Sequence, residues 1–219
     1  MEITWHGHSC FTIKEKGVTI VTDPYTNLGT KLPKLKGDIV TLSDELIDAE
    51  GDIAEVDGEP KVLSWPGEYE VKGVGIEGFS AFHFAKSAEK AEKANCKVVI
   101  YNFFVNGFKI CHLSGLGHRL TSELTESIGD VDILLVPIGG NLVIDHKKAV
   151  EVIEAIEPRI VIPMYYHVPG SKLDISGAEE FLKAVGKEGA EEIEVFEVAK
   201  KEDLPDDKTD YVVLKPMLG

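Results

Sequence analysis

The chain has 219 residues, of which 43% are hydrophobic and 28% are charged, and its formal net charge is -15. This length permits one large domain or two small ones, and the composition is that of an ordinary soluble globular protein. The negative charge argues against nucleic acid or an anionic membrane as a partner, because both need a basic surface on the protein.

The three cysteines, Cys10, Cys96 and Cys111, are scattered and form no CxxC pair. Such a set indicates buried thiols in a reducing compartment, and neither a disulfide framework nor a zinc–thiolate site. No run of about eighteen apolar residues predicts a membrane helix, and the N-terminal MEITWHGHSC lacks a signal-peptide pattern. We therefore expect a cytoplasmic protein.

The first half of the chain consists mainly of short β-branched and aromatic runs, which are typical of strands. Strands are predicted at Glu2–Trp5, Cys10–Lys14, Val18–Thr22, Ile39–Leu42 and Lys61–Ser64, with a hairpin turn at 15–17. Alternation continues from Glu68 to Phe84, where glycines at positions 73, 75 and 78 form a literal GxGxxG. A strand-like run follows them where a helix should receive a pyrophosphate, so we interpret them as turns or bulges.

The second half of the chain carries more helix. After an Ala/Glu/Lys-rich helix or connection at 85–97, an Asn-Gly hairpin is predicted between two strands. The predicted elements, in order, are strands Val98–Phe104 and Phe108–Cys111, helix Ser122–Ile128, strand Ile133–Pro137, helix Lys147–Ile156, strand Arg159–Pro163, helix Ser176–Val185, and strands near Ile193–Val198 and Tyr211–Lys215. Two β-rich halves with helices attached predict two sheets packed face to face with helices outside.

The stretch Asp38 to Asp52 joins a buried strand to a cluster of carboxylates. The end of a strand is where α/β proteins place functional side chains. If the segment is helical, Asp44 and Asp48 share a face and repel each other unless a cation or hydrogen-bond donors lie between them. Alternatively, Ser43 caps a helix whose first turn is acidic, which requires no ligand at all.

The histidines offer two further groups of candidates. His6 and His8 are two residues apart on a predicted strand, so they share a face and could ligate a metal, or one of them could hydrogen-bond in the core. His112 stands at the end of a predicted strand, and His118 follows six residues later.

Several motifs together resemble the metallo-β-lactamase fold superfamily, in its group of lactonase-like metal-dependent hydrolases. The matching stretches, in chain order, are 5–11 and 21–24 at the opening, then 38–52, 66–71, 112–118, 136–140 and 162–166. The resemblance implies a single α/β domain over residues 1–219 with a four-layer αββα sandwich. This agrees with the two facing sheets that the strand pattern predicts.

The metal ligands of that superfamily are largely missing from this chain. The superfamily's signature loop is His-x-His-x-Asp-His after a Ser or Thr, and of the six residues after Ser43 only Asp48 matches. His112 matches the next ligand, but the bridging Asp falls on Gly115 and the last His falls on Tyr165. A two-metal hydrolase needs His and carboxylate ligands on both ions to activate a bridging water, so the retained residues cannot assemble that centre.

Three hypotheses follow for the function. In the first, the protein has no cofactor. It uses the cleft in which the superfamily holds its metal ions to bind a small molecule, another protein or a second copy of itself. In the second, it hydrolyses a lactone, ester or phosphodiester with one zinc or manganese ion at an altered site formed by Asp44, Asp48, His112 and His167. In the third, a metal-independent hydrolase uses His8, His112 or His118 as general base.

Asp48, His112 and His8 are accordingly the candidate catalytic residues, and His118, Tyr165 and His167 are the candidate substrate-binding residues. By analogy with the superfamily, a homo-oligomer is expected.

Overall fold

The structure is a computed structural model that describes residues 1–43, 53–83 and 97–219. Strands and helices in these residues follow the short apolar runs and the periodic stretches of the sequence. The strands are β1 Glu2–Trp5, β2 Phe11–Glu15, β3 Val18–Thr22, β4 Leu35–Lys36, β5 Ile39–Thr41, β6 Val56–Asp57, β7 Lys61–Leu63, β8 Gly67–Val71, β9 Val74–Phe82, β10 Lys97–Val105, β11 Phe108–His112, β12 Ile133–Pro137, β13 Ile160–Met164, β14 Glu192–Ile193, β15 Phe196–Glu197, β16 Asp210–Tyr211 and β17 Val213–Leu214. The helices are α1 Ser122–Ile128, α2 His146–Ile156 and α3 Glu179–Ala184, with 3-10 turns at Ile53–Glu55 and Lys201–Asp203.

Two large sheets carry the fold, which is mixed α/β. The first has six strands in the order β15-β1-β2-β3-β5-β7, and the second has seven in the order β16-β13-β12-β11-β10-β9-β8. Strands β3, β5 and β7 are parallel to one another, as are β11, β12, β13 and β16. Because the carboxyl ends of parallel strands meet at one edge of a sheet, each sheet has an edge at which loop side chains can gather.

The inner faces of the two sheets share one hydrophobic core. Trp5 and Phe11 from the first sheet and Tyr101, Phe103 and Phe108 from the second are fully buried and belong to the same cluster. All five residues of β12 and of β13 are buried, as expected for strands covered on both faces. Helix α2 supplies part of that cover through its buried apolar face.

The predicted hairpin turns are confirmed. The two-residue turns at Lys16-Gly17 and Asn106-Gly107 have positive φ at both positions, as a type I′ turn requires. In the GxGxxG stretch, Gly73 lies in a turn of the same kind. Gly75 and Gly78 lie within the continuous β9–β10 ladder, so they mark strand positions and not bulges.

Three segments differ from the prediction. Strand β1 ends at Trp5 because Gly7 and His8 take φ of 89° and 50°, so His6 and His8 do not share a strand face. Helix α3 begins only at Glu179, because Ser176 donates to Gly139 O and accepts from His167 N. The predicted strand at 193–198 is split, since β14 pairs with β17 whereas β15 pairs with β1.

The predicted helix or connection at 85–97 lies, except for Lys97, outside the described residues. Among the helices that the structure describes, none is long and apolar enough to cross a membrane.

Candidate functional site

The ends of the parallel strands in the two sheets meet at one edge of the sandwich. The connecting hydrogen bonds are Val99 N to Ser43 O at 2.8 Å, His112 Nε2 to Ser9 O at 2.9 Å, and Tyr165 N to His8 O at 2.9 Å. Each bond joins a residue in or directly after the second sheet to a loop of the first. We call the residues His8, Ser9, Asp23, Ser43, His112 and Tyr165 the strand-end site.

Asp23 holds Ser43, which follows β5, in place through hydrogen bonds. Its carboxylate accepts hydrogen bonds from Ser43 Oγ at 2.6 Å and Ser43 N at 2.8 Å, and the Ser9 side chain donates a further one. Burial raises the pKa of Asp23 to about 6, although these hydrogen bonds to the charged form act in the opposite direction. Asp23 therefore fixes where the chain leaves β5.

His112 is engaged inside the protein through both ring nitrogens. Its Nε2 donates to Ser9 O, which can only accept, and burial lowers its pKa to about 4, so the neutral ring keeps one lone pair on Nδ1. That lone pair faces Ser114 Oγ at 3.1 Å, and the single hydroxyl proton of Ser114 is donated to Val99 O at 2.6 Å. His112 thus acts as a link between the sheets, with no lone pair pointing into open space.

The ring nitrogens of His8, in contrast, are not directed at hydrogen-bond partners that the structure describes. His8 is 1% exposed, and neither of its ring nitrogens has a hydrogen-bond partner among the described residues. Its ring meets Tyr25 edge-on at 4.7 Å between centroids and lies 6.2 Å from the ring of Tyr165. Burial, and then the positive charge of His167, lower the pKa of His8 to about 4, so the ring is neutral at physiological pH.

The other candidate histidines are placed differently. His118 donates from Nδ1 to Arg119 O at 2.6 Å and accepts at Nε2 from Phe82 N at 3.2 Å. It also lines a cavity of about 420 Å³ between β9 and α1. His167 is exposed, two residues beyond Tyr165, and its backbone N–H donates to Ser176 O at 2.8 Å.

Four of the ten non-glycine residues with left-handed φ in the described ranges lie at or beside the strand-end site. Outside glycine, left-handed φ is rare and costs free energy unless the surroundings hold it in place. His8, Asp23, Ser114 and Tyr165 have φ of 50°, 40°, 54° and 54°. The contacts around these residues therefore hold their backbone in place.

Asp44 and Asp48, two members of the altered metal site, lie outside the described residues. Within 1–43, 53–83 and 97–219, no three His, Cys, Asp or Glu side chains are grouped closely enough to hold a metal ion. The nitrogens of His112, a third member of that site, are directed at protein oxygens.

Two groups at this edge were not among the candidates from the sequence. His83 is fully buried, and its ring lies 6.3 Å from that of Tyr165. Tyr25 donates to His6 O at 2.8 Å and packs on His8. The only signal for Tyr25 was its position directly after Asp23-Pro24, which ends β3.

Known proteins of similar sequence and structure carry the same fold. The beta-lactamase superfamily domain matches residues 2–165. A UPF0173 protein of Pyrococcus abyssi is 32% identical over 183 residues, which cover 78% of this chain and 85% of that protein. A UPF0173 metal-dependent hydrolase of Carboxydothermus hydrogenoformans is 27% identical over 213 residues, which cover 85% of this chain and 94% of that protein.

Among solved structures, a candidate Zn-dependent hydrolase of the metallo-beta-lactamase superfamily from Thermotoga maritima superposes with a TM-score of 0.78 at 33% identity, over 97% of both chains. Because a relative is named a metal-dependent hydrolase, the expectation that no cofactor binds gains no support from these likenesses. The match over residues 2–165 and this superposition show that the chain belongs to the beta-lactamase superfamily, with the metallo-β-lactamase fold.

Proposed function

We propose that this chain is a metallo-β-lactamase-superfamily protein that does not carry out standard two-metal hydrolysis, because its dinuclear site is largely lost. The observation that supports this most directly is the bonding of His112, which occupies a ligand position by resemblance. Its Nε2 donates to Ser9 O and its Nδ1 faces Ser114 Oγ, so a metal ion would have to displace a protein hydrogen bond to reach it. Each such bond contributes about 0.5–1.5 kcal/mol net.

The alternative is a hydrolase of a lactone, ester or phosphodiester that uses one zinc or manganese ion held by Asp44, Asp48, His112 and His167. Its support is the name of the Carboxydothermus hydrogenoformans relative and the carboxylates that follow Ser43. It requires His112 to release Ser9 O or Ser114, and it requires exposed His167 to turn toward the same ion.

Elemental mass spectrometry on tag-free protein tests the proposal. The protein is expressed with zinc and manganese supplied, dialysed against buffer without chelator, and analysed beside its His112→Ala variant. We expect fewer than two retained ions per chain and no dependence on His112. Two ions per chain, lost in His112→Ala, would overturn the proposal, because a dinuclear hydrolase holds two ions.

A small molecule or a second copy of the chain is the partner that we propose for this protein. Light scattering coupled to size-exclusion chromatography tests the homo-oligomer, and a monomer at all concentrations would contradict it.

A further inference from the structure

Strand β8 forms an open edge of the seven-stranded sheet. Among the residues that the structure describes, β8 pairs only with β9, in a continuous register over all five of its residues. These five residues are exposed or half-buried. Natural proteins usually protect a strand edge with Lys, Pro, a bulge or a very short strand, and β8 has none of these features. Its outward-facing backbone N–H and C=O groups can therefore pair with a further strand.

An exposed tryptophan stands beside this edge. Trp65 lies two residues before Gly67, at which β8 begins, and it is 64% exposed, although large apolar side chains favour burial. Its backbone is held in place, because its carbonyl accepts the hydroxyl of Tyr69 at 2.9 Å and Tyr69 packs against the core. Tryptophan is enriched among the residues that dominate the free energy of protein–protein binding. Trp65 is thus an anchored apolar contact for a partner that pairs with β8.

The outer face of this corner of the sheet carries three carboxylates. Tyr69 and Val71 pack against the core, so Glu68 and Glu70 point to the opposite face. The register places Glu77 of β9 directly opposite Glu68 on that face. Like charges that face each other across a ladder destabilise it. Positive charges on a partner would remove this repulsion.

The described part of the chain does not neutralise these carboxylates. Lys72 directly follows β8, but its Nζ is bound to Asp38. Glu77 accepts a hydrogen bond from the neutral amide of Asn102 at 3.2 Å. Within the described residues, no ion pair reaches any of the three carboxylates. The edge therefore offers uncompensated negative charge beside its free backbone groups.

We propose that the edge of β8 binds an extended segment of a partner protein that carries Lys or Arg at alternate positions. The segment pairs with β8 as an additional strand, and its basic side chains lie beside Glu68, Glu70 and Glu77. Alternate positions are required because successive side chains of a strand point to opposite faces, and the carboxylates share one face. Charge disfavours a second copy of the chain as the occupant, since pairing of two β8 edges would bring the carboxylates of both together. The inference does not depend on the proposed function.

Titration of the full chain with a synthetic peptide of alternating Lys and Val tests the inference. Tryptophan fluorescence reports binding, because Trp65 is exposed and the only other tryptophan of the sequence, Trp5, is fully buried. We expect the emission of Trp65 to shift to shorter wavelength when the peptide covers it. Calorimetry should give one peptide per chain.

Two controls separate strand pairing from general attraction between opposite charges. The same peptide with N-methyl groups on alternate backbone amides keeps its charge but loses strand hydrogen bonds, so it should bind at least about fivefold more weakly. The double variant Glu68→Gln, Glu70→Gln should weaken binding of the unmodified peptide at least about threefold, the size of two exposed ion pairs. The matched variant Glu188→Gln, Glu191→Gln changes the net charge equally at exposed positions between α3 and β14, and should leave the affinity unchanged.

Absence of binding would overturn the inference, and so would equal affinities for the plain and the N-methylated peptide. Equal losses in the two double variants would show only general attraction to an acidic protein. A shift of the Trp65 emission with protein concentration, in the absence of peptide, would assign the edge to a second copy of the chain. None of these results changes the metal content, so the proposed function stands or fails separately.

Discussion

His8 and His112 are both buried, and burial lowers the pKa of each to about 4. The two rings differ in their hydrogen bonding. His112 has both nitrogens directed at protein oxygens, whereas His8 has no hydrogen-bond partner for either nitrogen within the described residues. Burial alone therefore does not show whether a histidine is hydrogen-bonded within the protein. Accounting for each donor and each lone pair does.

Substitution of the two histidines should change the stability by different amounts. His112→Ala should lower the free energy of unfolding by about 4 kcal/mol, because it opens a cavity in the core and breaks a link between the sheets. His8→Asn should cost about 1 kcal/mol or less, since it removes no hydrogen bond to a described group. Urea unfolding monitored by circular dichroism measures both, and equal losses would contradict the comparison.

Acid should also destabilise the fold through the buried histidines. Burial lowers the pKa of His8, His83 and His112 to about 4, against about 6.5 when unfolded, so the unfolded chain binds more protons between these values. Their contribution is present above about pH 6.5 and is lost as the pH falls toward 4, by up to about 3 kcal/mol for each histidine.

Asp23 changes the folding stability in the opposite direction over the same pH range. Burial raises its pKa to about 6, so protonation of Asp23 as the pH falls stabilises the folded state. The effect of Asp23 offsets roughly that of one buried histidine, so acid still destabilises the fold. Urea unfolding at a series of pH values checks this. A stability that stays flat between about pH 6.5 and 4 would contradict the expected protonation states.

The hydrogen bond from Tyr165 N to His8 O can be disturbed through Gly139. A Cβ at Gly139 would lie 2.3 Å from Tyr165 O, so Gly139→Ala must displace the Tyr165 backbone. We expect a loss of about 2 kcal/mol in the free energy of unfolding by overpacking. Gly75→Ala is the control, because its Cβ would meet only ordinary contact with Phe104 at 3.5 Å. Equal thermal melting temperatures for the two variants would show that the Tyr165 backbone shifts without strain.

Tyr25→Phe removes the hydroxyl of Tyr25 and keeps the ring that packs on His8. The hydroxyl donates to His6 O at 2.8 Å and lies 2.8 Å from Thr30 Oγ1. Its removal should cost about 1 kcal/mol in urea unfolding. An unchanged free energy of unfolding would mean that neither of these hydroxyl contacts stabilises the fold.

The periodic elements of the fold could be predicted from the sequence alone, because local signals agree with tertiary packing there. Helix Ser122–Ile128 and strand Ile133–Pro137 have the predicted bounds. The His6–His8 segment could not be placed, since a left-handed turn at Gly7 replaces the expected strand. At the C-terminal end, strands of two residues pair with partners far away in the chain, and no local pattern specifies such pairing.

The position of His112 could be predicted from the sequence, but its bonding could not. The strand pattern placed His112 at the end of a strand, where the structure also has it. The partners of His112 lie in a loop 103 residues away and in the turn after β11, and only folded geometry brings Ser9 O to Nε2. Whether a histidine is satisfied therefore depends on contacts that a sequence pattern does not contain.

The bond between His112 and Ser9 also has a kinetic consequence, because it joins residues 103 positions apart in the chain. Contacts of such long sequence separation require closure of a long loop, and they form after local hairpins such as β10–β11. We expect the strand-end site to assemble late, so substitutions there should speed unfolding more than they slow folding. The strand-end site would then be completed only in the last step of folding.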